Sequence, residues 1–261
     1  MERSEAKPSP KPRLVARFDS VTPEYTRSFL TFLAHTDQKE KAMAWLEREA
    51  GALRLRRTAI DAGAGTGKLT AWLADRFETV IGVEPNPSLA EEFRAACPAA
   101  SLIPATILAA EPRAFADFVL CSHVFYYLPR AEWEANARRL IGWLAPGGVL
   151  AVAIQNPETD CMRMVSHFIG GRLDLKELAG VAASAPGGPY DVRLDTVEAH
   201  IEATDLKTAC AVAEFILNVR PMPDPPAWAD LEDYVANRFA RPGGGYRFSC
   251  HQDFLRVARR R

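Results

Sequence analysis

The stretch Asp61-Ala62-Gly63-Ala64-Gly65-Thr66-Gly67, followed by Val80-Ile81-Gly82-Val83-Glu84, decides the fold. It reads as a strand, a tight glycine turn, a helix, and a second strand that ends in an acid. That is the plan of a nucleotide-type binding unit, and the glycine spacing says which kind. A dinucleotide fingerprint needs G-x-G-x-x-G. Here the third glycine comes one position early, and Lys68 stands where it should be. A phosphate loop needs G-x-x-x-x-G-K-[ST]. Gly67-Lys68 could end such a loop, but Ala62 replaces its first glycine and Leu69 its hydroxyl. What remains is D-x-G-x-G-x-G.

This pattern resembles motif I of the class I S-adenosyl-L-methionine (SAM) methyltransferases. The resemblance implies SAM as cofactor and S-adenosyl-L-homocysteine as product. The physics agrees. Glycines 63, 65 and 67 let the backbone turn sharply and approach a ligand. A methionine moiety carries an ammonium, which Asp61 would face directly or through water, and a carboxylate, which free N–H groups near the following helix favour. Glu84 lies 17 residues after Gly67, at a strand end where a carboxylate can accept hydrogen bonds from both ribose hydroxyls. Asp61, Gly63, Ala64, Gly65, Gly67, Glu84, Pro85 and Ser122 are therefore the expected cofactor cradle, with Thr106 toward the adenine and Tyr25 closing over the methionine portion.

The rest of the chain supports an α/β enzyme. Its 261 residues suit one domain with insertions, and 48% hydrophobic and 25% charged residues are an ordinary globular balance. A net charge of −1 gives no broad electrostatic footprint for nucleic acid or membrane. No apolar run reaches spanning length. Residues 1–12 are polar and Pro-rich and do not read as a secretory signal. Five scattered cysteines form no C-x-x-C pair, so neither a disulfide framework nor a metal site is expected. A cytoplasmic protein, monomer or homodimer, is the expectation.

Strands are expected at 58–62, 79–84, 101–104, 117–121 and 148–154, alternating with helices at 67–76, 88–96 (capped by Ser88) and 130–144. Helices at 22–34 and 38–50 precede them. Later helices fall at 158–169, 174–184, 205–217 and 227–239, with alternating stretches at 191–203 and 246–257. Alternation of this kind argues for a parallel sheet covered on both faces. The expected fold is a Rossmann-like class I methyltransferase sheet of seven strands, the last pair antiparallel, with a helical lid. Residues 1–16 are expected to be flexible and 17–261 to form the methyltransferase domain, with lid elements near 20–35, 158–190 and 205–240.

Three further stretches, Tyr25 to Leu33, Val124-Phe125-Tyr126-Tyr127-Leu128, and Phe248 to Phe254, together resemble the histamine N-methyltransferase family. Matching positions depart from it. A glutamate that holds the substrate's amine there corresponds to Arg27, a glutamine after the fourth strand to His123, and an asparagine in the last strand to Cys250. Family tryptophans give way to residues such as Cys161 and Met164. A glutamate-to-arginine reversal favours an anionic substrate group. The reading is a small-molecule methyltransferase whose substrate is an amine carrying an acidic group. Arg27 would orient the acid, Tyr126, Tyr127 and Cys250 would wall the pocket, and His123 would take the proton as catalytic base. Its rivals are O-methylation of a hydroxyl or a carboxylate (a carboxylate needs no base), a SAM-binding protein without catalysis, and methylation of a protein or peptide.

Overall fold

The computed structural model describes residues 12–18 and 22–260. Nine strands and nine α-helices follow one another among them. Two helices come first, α1 (Pro23–Ala34) and α2 (Gln38–Gly51). The alternating half then runs β1 (Thr58–Ala62), α3 (Lys68–Ala74), β2 (Thr79–Val83), α4 (Ala90–Ala96), β3 (Ser101–Ile103), β4 (Ala116–Ser122), α5 (Trp133–Gly142) and β5 (Leu144–Gln155). After it come α6 (Asp160–Phe168), α7 (Lys176–Ala183), β6 (Tyr190–Val197), β7 (His200–Ala203), α8 (Leu206–Leu217), α9 (Trp228–Arg238), β8 (Tyr246–Ser249) and β9 (Gln252–Arg259).

Seven strands form one sheet in the order β3-β2-β1-β4-β5-β9-β6. All neighbours pair in parallel except β9, which runs antiparallel to both β5 and β6. Burial explains the sequence pattern. Residues 116–121 of β4 are all buried, as a central strand covered on both faces requires. Ile60, Val119 and Val152 face one layer of the core. Ala59, Phe118 and Ala151 face the other, where Trp45 of α2 stacks on Phe254 at 4.2 Å between ring centroids. The two-residue period of strand side chains makes this division.

The two long alternating stretches each break in the middle. Residues 190–203 divide into β6 and β7, and 246–259 into β8 and β9. The breaks face each other, with the Cys250 N–H donating to the Ala199 carbonyl at 2.9 Å. Pairing keeps one register across them, Val197 facing Gln252 and His200 facing Ser249. One long ladder thus leaves the main sheet and continues as the small β7–β8 pair. Periodicity alone cannot show such a break, because alternation persists through it.

Two expectations about ends need correction. The helix expected from Ser88 is preceded by a short 3₁₀ turn at Pro87–Leu89, capped by Asn86, whose side chain accepts from the Ser88 N–H. The described part of the segment expected to be flexible is docked. Val15 is buried, Leu14 bridges to Ala227, and the Arg13 guanidinium lies 3.8 Å over the Trp228 ring. Residues 1–11 lie outside the described residues. No described helix is long and apolar enough to cross a membrane.

Candidate active site

The carboxyl end of β1 builds the first half of the site from backbone. Gly63, Gly65 and Gly67 have φ of 84°, 53° and 81°, the left-handed region in which a side chain is strained. The N–H groups of Gly63 and Ala64 both donate to the Val83 carbonyl, pinning the turn to β2. A Cβ on Gly63 would lie 2.2 Å from Val124 Cγ2, so glycine is also needed for space. At Gly65 the reverse holds, since a Cβ would meet no protein atom within 4 Å. The loop leaves open space there.

Glu84 sits just past β2 and reaches over this loop. One carboxylate oxygen accepts from the Gly65 N–H at 3.0 Å and the other from the Asn86 N–H at 2.8 Å. Each oxygen keeps a second lone pair. Asp61 is only 2% exposed, and Thr70 donates to it at 2.7 Å. Burial pushes its carboxyl up to about 6; the Thr70 hydrogen bond opposes this, and the nearby Glu84 charge adds to it. A cation brought beside Asp61 would relieve that cost. The open cradle at Gly65, the spare lone pairs of Glu84 and the destabilised charge of Asp61 all fit a SAM-type ligand, with its hydroxyls and its ammonium.

The remaining cradle positions differ in depth. Ala64 is buried, Pro85 is exposed beside Glu84, and Ser122 ends β4 half-buried. Thr106 is exposed three residues after β3, where its hydroxyl accepts from the Ala109 N–H.

The second half of the site is a cavity of about 210 Å³. Three aromatic residues of α1, Tyr25, Phe29 and Phe32, form one wall. They recur at helical spacing and meet Phe215 of α8 at centroid distances of 5.5, 5.7 and 5.4 Å. His123, Tyr126 and Tyr127 come from the segment after β4, and Gln155 from the end of β5. Gln38 and Asn218 complete the polar lining. Asn218 also ties the N-terminal segment to this wall, accepting from the Phe18 N–H and donating to the Ala16 carbonyl.

His123 is held tightly. Its backbone has φ of 60°, the only non-glycine residue so placed among those described. Gln252 Nε2 lies 2.6 Å from His123 Nε2, and the Tyr126 hydroxyl lies 3.3 Å from Nδ1. With the amide donating to Nε2, the imidazole carries its proton on Nδ1. Burial pushes the ring down to about 4, so it is neutral at ordinary pH. Tyr126 also accepts from the Gln155 backbone N–H. Burial pushes its phenol far up, which keeps the hydroxyl protonated.

Two expected substrate residues stand elsewhere. Arg27 is on the outer face of α1, its side chain 71% exposed and paired with Glu24 at 2.8 Å. It cannot orient a substrate in a cavity lined by the opposite face. Cys250 is fully buried with its Sγ 3.3 Å from the Thr36 hydroxyl, and it does not line the cavity. Burial pushes that thiol up to about 12, so it stays neutral. Tyr127 lines the cavity while remaining 65% exposed, so it stands at the mouth. Gln155, Gln38 and Phe215 were not foreseen. Only Gln155 carried a signal, since ligands gather outside the carboxyl ends of parallel strands.

Comparison with known proteins agrees with this geometry. Residues 33–215 match the model of a methyltransferase domain family, and the chain belongs to that family. It is a class I SAM-dependent methyltransferase of small molecules. A trans-aconitate 2-methyltransferase from Rhodopseudomonas palustris (strain BisB18) is 30% identical over 209 residues, 73% of this chain and 79% of that one. One from Methylobacterium radiotolerans is 39% identical over 98 residues, 37% of each chain. Among solved structures, the N-methyltransferase NodS from Bradyrhizobium japonicum WM9, in complex with S-adenosyl-L-homocysteine, shares the fold with a TM-score of 0.54. It is 12% identical, and the match covers 91% of this chain and 99% of that one. The sequence relatives are not named as histamine N-methyltransferases, so the resemblance drawn from the Tyr25 and Phe248 stretches holds at the level of the class.

Proposed function

We propose that the protein transfers a methyl group from SAM to a carboxylate oxygen of a small acid, forming a methyl ester. One observation carries this reading: both ring nitrogens of His123 are already engaged, by Gln252 and Tyr126. An amine or hydroxyl acceptor must lose a proton, and the best candidate base has neither a free nitrogen nor the basicity for it. A carboxylate acceptor is ionised already, with an ordinary pKa near 4. The relatives named for methylation of trans-aconitate, an acid, support the same chemistry.

The cofactor supplies an electrophilic sulfonium methyl. Asp61, the turn from Gly63 to Gly67, and Glu84 with Pro85 would hold it, with Ser122 and Tyr25 at the methionine end and Thr106 toward the adenine. On the acceptor side, Tyr126 accepts from Gln155 N–H and from His123 Nδ1–H, which leaves its own phenol proton for a carboxylate. His123 then positions that phenol and moves no proton. The protein's work is orientation, placing the acceptor oxygen roughly 3 Å from the methyl carbon and excluding water.

The test is methyl transfer from labelled SAM to a panel of small acids and amino acids, followed by mild alkali. Esters release labelled methanol, whereas N-methyl groups stay. The expected label is alkali-labile. The rate should be flat between pH 6 and 9, because an imidazole that titrates near 4 stays neutral there. Alkali-stable label, or a rate that rises through pH 6–7 and loses that rise in His123→Ala, would return the histidine to the role of base.

A further inference from the structure

The acceptor cavity is polar enough to seat one carboxylate and too neutral to seat several. Among the described residues, none of those lining it is a lysine, arginine, aspartate or glutamate. Its only titratable imidazole is the engaged His123. Lys68, with Nζ 5.7 Å from the centroid of the Phe29 ring, is exposed at the start of α3 and does not line it. One side is continuous ring surface, from Phe29 and Phe32 against Phe215. The polar groups gather on the other side, where the Tyr126 hydroxyl stands beside Gln155. Gln155 is only 4% exposed, and its Oε1 has no hydrogen-bond partner. Gln252, which faces it across β5 and β9, likewise has a buried Oε1 without a partner, and of the two only Gln155 lines the cavity. Its terminal amide can present either oxygen or NH₂.

Resting on the carboxylate reading above, we propose that the acceptor is a singly charged acid on a flat apolar body, of aromatic or unsaturated alkyl type, and not a polycarboxylate. One carboxylate meets Tyr126 and Gln155 and lies beside the sulfonium charge. A second or third would face phenyl rings with no cation among the described lining residues to pair with, and an unpaired buried charge is strongly disfavoured. Size agrees, for about 210 Å³ is below the roughly 300 Å³ at which sites for drug-sized ligands begin. The relatives are named for a tricarboxylate, so this chain would differ from them in specificity while sharing their chemistry.

Two measurements test the proposal. Protein loaded with S-adenosylhomocysteine is titrated with trans-cinnamate, phenylacetate, hexanoate and trans-aconitate. The same four acids are then assayed with SAM. At least one monoacid should bind and be esterified with kcat/KM at least tenfold above that of trans-aconitate. Phe215→Arg, checked for folding by its melting curve, should narrow that ratio at least tenfold by adding a cation to the wall. A preference of the wild-type protein for trans-aconitate, with alkali-labile product, overturns the substrate class and leaves ester formation standing. Failure of all three monoacids to bind overturns it as well. Alkali-stable label from amino acids overturns the carboxylate reading itself.

Discussion

The two halves of the site are made of different material. The cofactor side is backbone: three left-handed glycines, N–H groups turned onto the Val83 carbonyl, and one carboxylate clasping the loop. It comes from one continuous stretch, residues 61–84. The acceptor side is side chain: rings from α1 and α8, a strained histidine after β4, amides from the ends of β5 and β9. Its members come from segments more than two hundred residues apart. In the first half, positive φ at three glycines and the contact of Gly63 with Val124 leave little room for side chains. The second is assembled from single residues on separate elements, so each can change without the others.

If the contrast holds, the largest single effect should come from the clasp. On the proposed binding mode, Glu84→Ala would remove the acceptor of two charge-assisted hydrogen bonds from the ribose hydroxyls, each worth about 1.5–3 kcal/mol. The sum, about 3–6 kcal/mol, corresponds to a Kd for SAM weaker by about 10²–10⁴. It also frees the Gly65 and Asn86 N–H groups. Calorimetric titration with SAM and S-adenosylhomocysteine measures it. Binding within fivefold of wild type would mean that the glycine loop alone carries affinity.

Asp61→Asn should separate binding from stability. The folded-state carboxyl is raised to about 6 from an ordinary 3.8, chiefly by burial. The ionised form is therefore a burden on the ligand-free fold, fully present above pH 6 and lost as the pH falls toward 4. Removing the charge while keeping an oxygen for Thr70 should stabilise the free protein at pH 7.5 by up to about 3 kcal/mol, at most roughly 6–12 °C in melting temperature. The gain should shrink at pH 5 and disappear near pH 4. His123, shifted downward, acts with the opposite sign below pH 6.5, so the difference between the two proteins, not the wild-type curve alone, isolates Asp61. SAM affinity should fall at the same time. A variant less stable than wild type at pH 7.5 would show that the carboxylate is already compensated.

The same contrast explains what could be read from the chain. The turn from Gly63 to Gly67 and the position of Glu84 were legible because they follow from local geometry: left-handed turns need glycine, and a strand end places an acid. The sheet was legible because strands buried on both faces are uniformly apolar. Gln38, Phe215 and Gln252 were not, because each acts across a tertiary contact that no local pattern encodes. The docked segment around Val15 was missed for the same reason, since its partners Glu214, Asn218 and Trp228 lie some two hundred residues away. Cys250 was misplaced because the break between β8 and β9 leaves its thiol against Thr36 and out of the cavity, and alternation runs through that break undisturbed.

The smallest expected effect tests the acceptor side most directly. Arg27 was drawn toward the substrate by matching it to a residue with that role in a resembling family. The periodicity of α1 says otherwise. Tyr25, Phe29 and Phe32 define the cavity face, and position 27 lies about 200° around the helix from Tyr25, on the outside. Its ion pair with Glu24 is exposed, three residues apart, and of the kind worth little. Arg27→Ala should change kcat/KM less than twofold on any acid, and the melting temperature by no more than 1–2 °C by the usual scale of surface changes, about 0.5 kcal/mol. Phe29→Ala, two positions on and inside, is the matched control. A tenfold loss in Arg27→Ala would mean that α1 turns during catalysis and brings its outer face to the acceptor, and the neutral cavity would then describe only the free enzyme.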